Sequence, residues 1–353
     1  MENRRPTQKD IATKAGVHTS TVCLALKNHP TIPEVTRQRV QQIAAELGYH
    51  PDPMLSALAA YRTTLRPAAF HGQLAWLSMS NSRFNWRKVS VYAAYMRGAA
   101  QQAQRHGYNL DDYNLGERGM TPVRLAGIMR ARGVRGILVA PMPEAHMDLD
   151  FPWEGFSAVA IGHTLEKPAL NLAAANYHQS MRLIFRNLIR LGYQRIGLAL
   201  PGDLHVRVGE HYLAAYLVEQ RAVPAARRLA PCLEMPPSKA AFARWLKRAR
   251  PDVLITSNYI FPEYLRELQV RVPGDLAVAV VFKRLIGDNF SGIDQKVQRT
   301  GEVALDMLVS MIQRNETGVP VDQLQLLIEG RWVDGETAPP VKSPPPDSGR
   351  RAP

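Results

Sequence analysis

Three side chains near the N-terminus have the types and spacing needed to read DNA. Gly16 separates two short stretches with helical apolar spacing, and Thr19, Ser20 and Leu24 follow it at the start of the second. On a helix that enters a major groove by its N-terminal end, Thr and Ser hydroxyls can hydrogen-bond either purine or pyrimidine edges. Leu24 offers only apolar contact, for example to a thymine methyl. Spacing alone leaves an ordinary helical hairpin with a polar surface equally open.

Other chemistries find little support. The ten histidines form no HxxxH or HExxH pair, and two cysteines are too few for a zinc site, so no metal is expected. No G-x-G-x-x-G or P-loop follows a strand-like run, and G-x-S-x-G is absent, so no cofactor is implied. His163, just past the apolar run Ala158–Ile161, could line a cleft or simply face solvent.

Composition narrows the class. The chain has 353 residues, 46% hydrophobic and 21% charged, which excludes a disordered chain, a collagen and a disulfide scaffold. Its 44 Lys+Arg against 31 Asp+Glu give +13, which favours a polyanionic partner, with nucleic acid ahead of a membrane surface. Cys23 and Cys232 read as free thiols in a reducing cytoplasm. MENRRPTQKD has no apolar signal region, and runs such as Gly136–Met142 fall far short of the roughly 20 residues a membrane helix requires.

The elements that must position the N-terminal side chains are legible. Thr7 and Asp10 form a capping box ahead of Ile11 and Ala15, and Gly16 stops that helix. Val22, Ala25 and Leu26 make the stripe of a second helix beginning near His18–Thr19. Pro33 opens a third, with Val40, Ile43, Ala44 and Leu47 on its core face and Gly48 at its end. Asp52 and Pro53 start a fourth, Met54–Ala60, too short to stand alone in water. From about residue 72 strand-like and amphipathic segments alternate, implying βαβ units and two parallel-sheet subdomains.

The segments Thr7–Val17, Thr21-Val22, Thr36–Val40 and Leu47–Asp52 resemble the LacI/GalR family of bacterial transcription regulators. So do Gly133–Leu138, Leu191–Gly197, Arg250–Asn258 and Val272–Val278. The resemblance implies an all-α helix-turn-helix headpiece joined to a periplasmic-binding-protein-like α/β core of two parallel-sheet subdomains. On this reading residues 1–50 bind DNA, 51–70 form a hinge helix and linker, and 71–335 form the effector-binding and dimerisation core. The N-subdomain takes about 71–166 and 296–322, the C-subdomain about 167–295 and 323–335, and 336–353 form a disordered Pro-rich tail.

The resemblance also implies function: a cytoplasmic homodimeric repressor on a pseudo-palindromic operator, controlled by a small effector, with no enzyme activity and no membrane. The rival is a cytoplasmic binding protein or α/β enzyme using the core alone. DNA contacts carry over to Thr7, Thr19, Ser20, Thr21, Leu24, Thr36, Arg37 and Tyr49, with Leu58 as a minor-groove wedge beside Ala59. Effector contacts carry over to Arg207, Asn258, Lys283 and Gln295. Where the family has an Asp, Lys283 places a second cation opposite Arg207, so the expected effector is an acid such as a sugar acid or sugar phosphate. Cys23-Leu24 replaces the family's usual Ser-Arg, which shifts direct readout onto Thr19 and Ser20.

Overall fold

In the computed structural model, the structure describes residues 6–26, 31–49, 72–81, 84–233, 238–257, 260–283 and 289–341. Helices α1 (Gln8–Ala15), α2 (Thr19–Leu26) and α3 (Glu34–Glu46) form the headpiece. Their apolar stripes meet in one cluster of Ile11, Ala12, Ala15, Val22, Ala25, Val40, Ile43 and Ala44. Thr7 N–H and its hydroxyl both donate to Asp10 Oδ2 at 2.7 Å, which secures the start of α1. Gly16, at φ 65°, supplies the left-handed turn that releases the chain into α2. The hinge residues Leu58 and Ala59 lie outside the described residues.

The core is built on two sheets. One has the order β12-β7-β5-β3-β1-β2, with β1 (Gly72–Ser78), β2 (Tyr108–Asn114), β3 (Gly136–Val139), β5 (Ser157–Ile161), β7 (Asn171–Ala175) and β12 (Gln325–Ile328) all parallel. The other has the order β13-β11-β10-β9-β8, from β8 (Ile196–Ala199), β9 (Val253–Thr256), β10 (Ala277–Val280), β11 (Ser291–Asp294) and β13 (Arg331–Val333). Among the described strands of this sheet only β13 runs antiparallel to its neighbour, β11. Strands β4 (Met147–Asp148) and β6 (Leu165–Lys167) pair separately. Central strands such as Val253–Thr256 are buried along their whole length, as expected when helices cover both faces.

Helices α4 (Ser90–Arg105), α5 (Pro122–Ala131) and α11 (Val297–Arg314) flank the first sheet, and α11 packs along α4. The other sheet carries α6 (Tyr177–Arg190), α7 (Gly202–Arg207), α8 (His211–Gln220), α9 (Lys239–Ala249) and α10 (Phe261–Glu267) in its half of the chain. The chain changes sheet after β7, after β11 and after β12.

These crossings correct the expected subdomain limits. Asn171–Ala175 and Gln325–Ile328 pair with the first sheet, so that lobe runs past 166 and past 322. The expected disordered tail from 336 is also corrected over its first residues. Glu336 N–H donates to Asn289 O, the Thr337 hydroxyl to Val278 O, and Val341 N–H to Leu191 O. Buried Ala338 and the Tyr193 hydroxyl, which donates to Pro339 O, fix the segment to the second lobe. Backbone pairing and an apolar anchor outweigh the Pro-rich composition there.

Candidate nucleic-acid interface and effector cleft

The headpiece presents α2 outward. Its inner face carries Val22 and Ala25, while Thr19 and Ser20 are exposed and Thr21 and Leu24 half-buried. Ser20 and Leu24 lie one turn apart on one face. His18 precedes α2 and caps it. Its carbonyl accepts from Thr21 N–H at 2.9 Å, and its Nδ1 accepts from Ser20 N–H at 3.3 Å. Thr36 and Arg37 sit half-buried in the first turn of α3. Tyr49 packs against the headpiece core, with its N–H on Ala44 O, and Thr7 caps α1. Both therefore hold the headpiece together, whatever they touch beyond it.

The core holds a cavity of about 280 Å³ at the carboxyl ends of strands from both sheets. This is where parallel α/β sheets leave a crevice for ligands. Pro141 follows β3, Gly162 and His163 follow β5, Ser257 follows β9, Phe282 follows β10 and Gln295 follows β11. Tyr92 and Tyr95 of α4, Tyr177 of α6 and Tyr212 of α8 supply aromatic walls. Burial first of all raises the Tyr95, Tyr177 and Tyr212 hydroxyls, Tyr177 to about 12, so all three stay neutral.

Arg207 lines the cavity from α7 and ties the two lobes. It donates through Nη1 to Pro143 O at 2.6 Å, and through Nη2 to Met142 O at 2.7 Å and the Tyr92 hydroxyl at 2.5 Å. Gln295 also lines the cavity, and its amide donates to Val281 O at 2.9 Å and to the Tyr212 hydroxyl. Asn258 lies outside the described residues. Lys283 is not among the described lining residues. Its N–H donates to Ile293 O, which carries the chain on beside β11, and its ammonium donates to Phe290 O. Among the described lining residues Arg207 is joined by Asp203 rather than by Lys283.

Two buried polar atoms on the wall have no hydrogen-bond partner among the described residues: His163 Nε2 and Ser257 Oγ. One belongs to each lobe. Burial first, then the neighbouring His211, lowers His163 to about 4, so its imidazole is neutral at pH 7. The rings of His163 and His211 meet edge-on at 5.0 Å. Sequence spacing gave no signal for Ser257 or the tyrosines, which come from separate elements. Among the described residues no group of three His, Cys, Asp or Glu could hold a metal ion. Among them, too, no helix is long and apolar enough to cross a membrane.

A DNA-reading headpiece ahead of a two-lobed ligand-binding core defines a class of ligand-responsive regulator. Residues 7–52 match the model for bacterial regulatory proteins of the lacI family, and residues 185–338 match the periplasmic binding protein-like domain. The chain thus joins a domain of the lacI family to a periplasmic binding protein-like domain.

A relative named as a probable HTH-type transcriptional repressor, ExuR of Bacillus subtilis (strain 168), is 22% identical over 332 residues, covering 88% of this chain and 93% of that one. The HTH-type transcriptional repressor CytR of Escherichia coli (strain K12) is 50% identical over 48 residues, 14% of each chain. Among solved structures, a complex of the transcriptional regulator CelR with cellobiose superposes with a TM-score of 0.55 at 20% identity, covering 94% of this chain and 100% of that one. The lac repressor dimer bound to operator and the anti-inducer ONPF gives 0.54 at 17%, covering 95% and 99%. These structures share the fold.

Proposed function

We propose that this protein is a sequence-specific DNA-binding transcriptional repressor whose operator affinity is set by a small molecule held between the two lobes of its core. The observation that carries the reading is the pairing of a helix-turn-helix headpiece with a cavity lined from both lobes, in one chain. The family relation and the named repressors among its relatives support it. The chain acts in the cytoplasm as a homodimer on a pseudo-palindromic site, with Leu58 of each hinge wedging into the minor groove beside Ala59 and bending the duplex. It carries out no enzymatic reaction.

The cavity wall argues for an uncharged effector with hydroxyl groups on a ring. Arg207 is engaged with two main-chain carbonyls and a phenol, and Asp203 lines the same cavity. An acid would meet one cation and one anion, whereas aromatic walls and neutral donors suit a saccharide such as the cellobiose of the CelR complex. The test has two parts: selection from a random DNA pool with the full chain, then thermal shift against neutral sugars, sugar acids and sugar phosphates. We expect one enriched inverted repeat and a melting rise with a neutral sugar. No enriched sequence would overturn the regulator reading, and a rise confined to acids would overturn the effector class.

A further inference from the structure

The hydrogen bond between His18 and Ser20 fixes what Ser20 can recognise. His18 Nδ1 lies 2.8 Å from Ser20 Oγ and 3.3 Å from Ser20 N. A backbone N–H can only donate, so in this arrangement Nδ1 is the acceptor, which places the ring hydrogen on Nε2. The Ser20 hydroxyl, the closer of the two donors to the one lone pair of Nδ1, then directs its hydrogen there. Its oxygen keeps only lone pairs for anything else that approaches the exposed start of α2.

We propose that His18 makes Ser20 an obligate hydrogen-bond acceptor, so that Ser20 selects a base bearing an exocyclic amine, adenine N6 or cytosine N4, on the strand it contacts. This rests on the reading of α2 as the recognition helix. A Ser on its own is indifferent, since its hydroxyl can donate to guanine or thymine or accept from adenine or cytosine. His18 removes the first option while it serves as the N-cap of α2, so one side chain both starts the helix and sets the polarity of its neighbour. Guanine and thymine present acceptors at the corresponding major-groove atoms and would face the Ser20 lone pairs without a proton between them.

The test uses the full chain and the operator selected from random DNA. Ser20→Ala identifies the base pair whose preference collapses. At that pair the amine is then deleted, with purine in place of adenine or 2-pyrimidinone in place of cytosine. Separately, the opposing acceptor is altered, with a 7-deazapurine for guanine or 4-thiothymine for thymine. Wild type should lose about threefold to tenfold in affinity on amine deletion, the range of one net hydrogen bond. Ser20→Ala and His18→Ala should be nearly indifferent to it.

His18→Asn keeps an acceptor at the cap and a good helix start, and should restore the wild-type response. It separates loss of polarity from loss of the helix. If wild type ignores amine deletion but responds to the acceptor changes, Ser20 donates and the proposal is wrong. If Ser20→Ala alters no position, Ser20 reads no base and the proposal also falls. Failure to select any operator would instead overturn the regulator reading itself.

Discussion

His163 is a neutral imidazole held against a neighbouring ring, and that arrangement has a pH signature. Its folded value, about 4, lies below its ordinary value of 6.5, because burial first and His211 second disfavour the cation. The unfolded chain therefore binds more protons between those values. The stability contributed is present above pH 6.5 and is lost as pH falls toward 4. Between pH 7 and 5 the chain should lose about 1–2 kcal/mol from this group, and His163→Gln should flatten that part of the profile. Denaturant midpoints at pH 7, 6 and 5 check this, and an equal decline in both proteins would show that His163 protonates without cost. Arg37, in the first turn of α3, is the complementary case on the headpiece. As a phosphate contact it positions without reading sequence. Arg37→Ala should weaken specific and random DNA alike and lower the salt slope by about one unit, measured by anisotropy across a salt series. A changed base preference at an unchanged slope would contradict that role.

At the scale of elements, the close approach of α4 and α11 sets the wall of the cleft. A Cβ on Gly301 would meet Tyr95 O at 2.0 Å, and one on Gly98 would meet Gln298 O at 2.0 Å. Two glycines facing opposite main chains allow the helices to touch, and Tyr95 is also a cavity wall. Gly301→Ala must push the helices apart, so we expect a loss of at least about 2 kcal/mol, a melting point several degrees lower and weaker ligand binding. Calorimetry of wild type and variant decides it, and an unchanged melting point would mean that the helices separate freely. The helices were legible in the sequence because a 3.6-residue apolar period survives in α4, α6, α9 and α11 whatever they pack against. Most of the buried strands were legible too, as the apolar runs that became β1, β3, β5, β8, β9 and β10, but β7 and β11 were not. Asn171–Ala175 is NLAAA and Ser291–Asp294 is SGID, runs of residues with little β preference that become strands only by pairing. The cleft was half legible for the same reason. Arg207 and Gln295 line the cavity, whereas the ammonium of Lys283, the substitution that stood out, donates to Phe290 O beside β11. The tyrosines, His163 and Ser257 converge only through the crossings between sheets.

For the whole molecule, the question is how a ligand in the core reaches DNA. A ligand can shift an equilibrium only by its differential affinity for two states, so the coupling must pass through something that differs between closed and open lobes. Arg207 is placed to be that group. It belongs to the second lobe, yet its guanidinium spends its bonds on Met142 O, Pro143 O and Tyr92 of the first while lining the cavity. A ligand in the cavity therefore acts on the same contacts that hold the lobes together. Arg207→Ala removes those bonds and enlarges the cavity rather than leaving a buried charge. We expect ligand affinity to fall at least tenfold and the lobes to move more freely, seen as a larger radius of gyration in small-angle scattering. The ratio of operator affinities with and without saturating ligand should also shrink from the 5–150-fold typical of coupled sites toward one. Arg207→Lys keeps the charge but cannot reach three acceptors from one planar fork, and should fall between. If Arg207→Ala binds its ligand weakly yet, once saturated, shifts operator affinity by the wild-type ratio, Arg207 only binds the ligand and the lobes are coupled elsewhere.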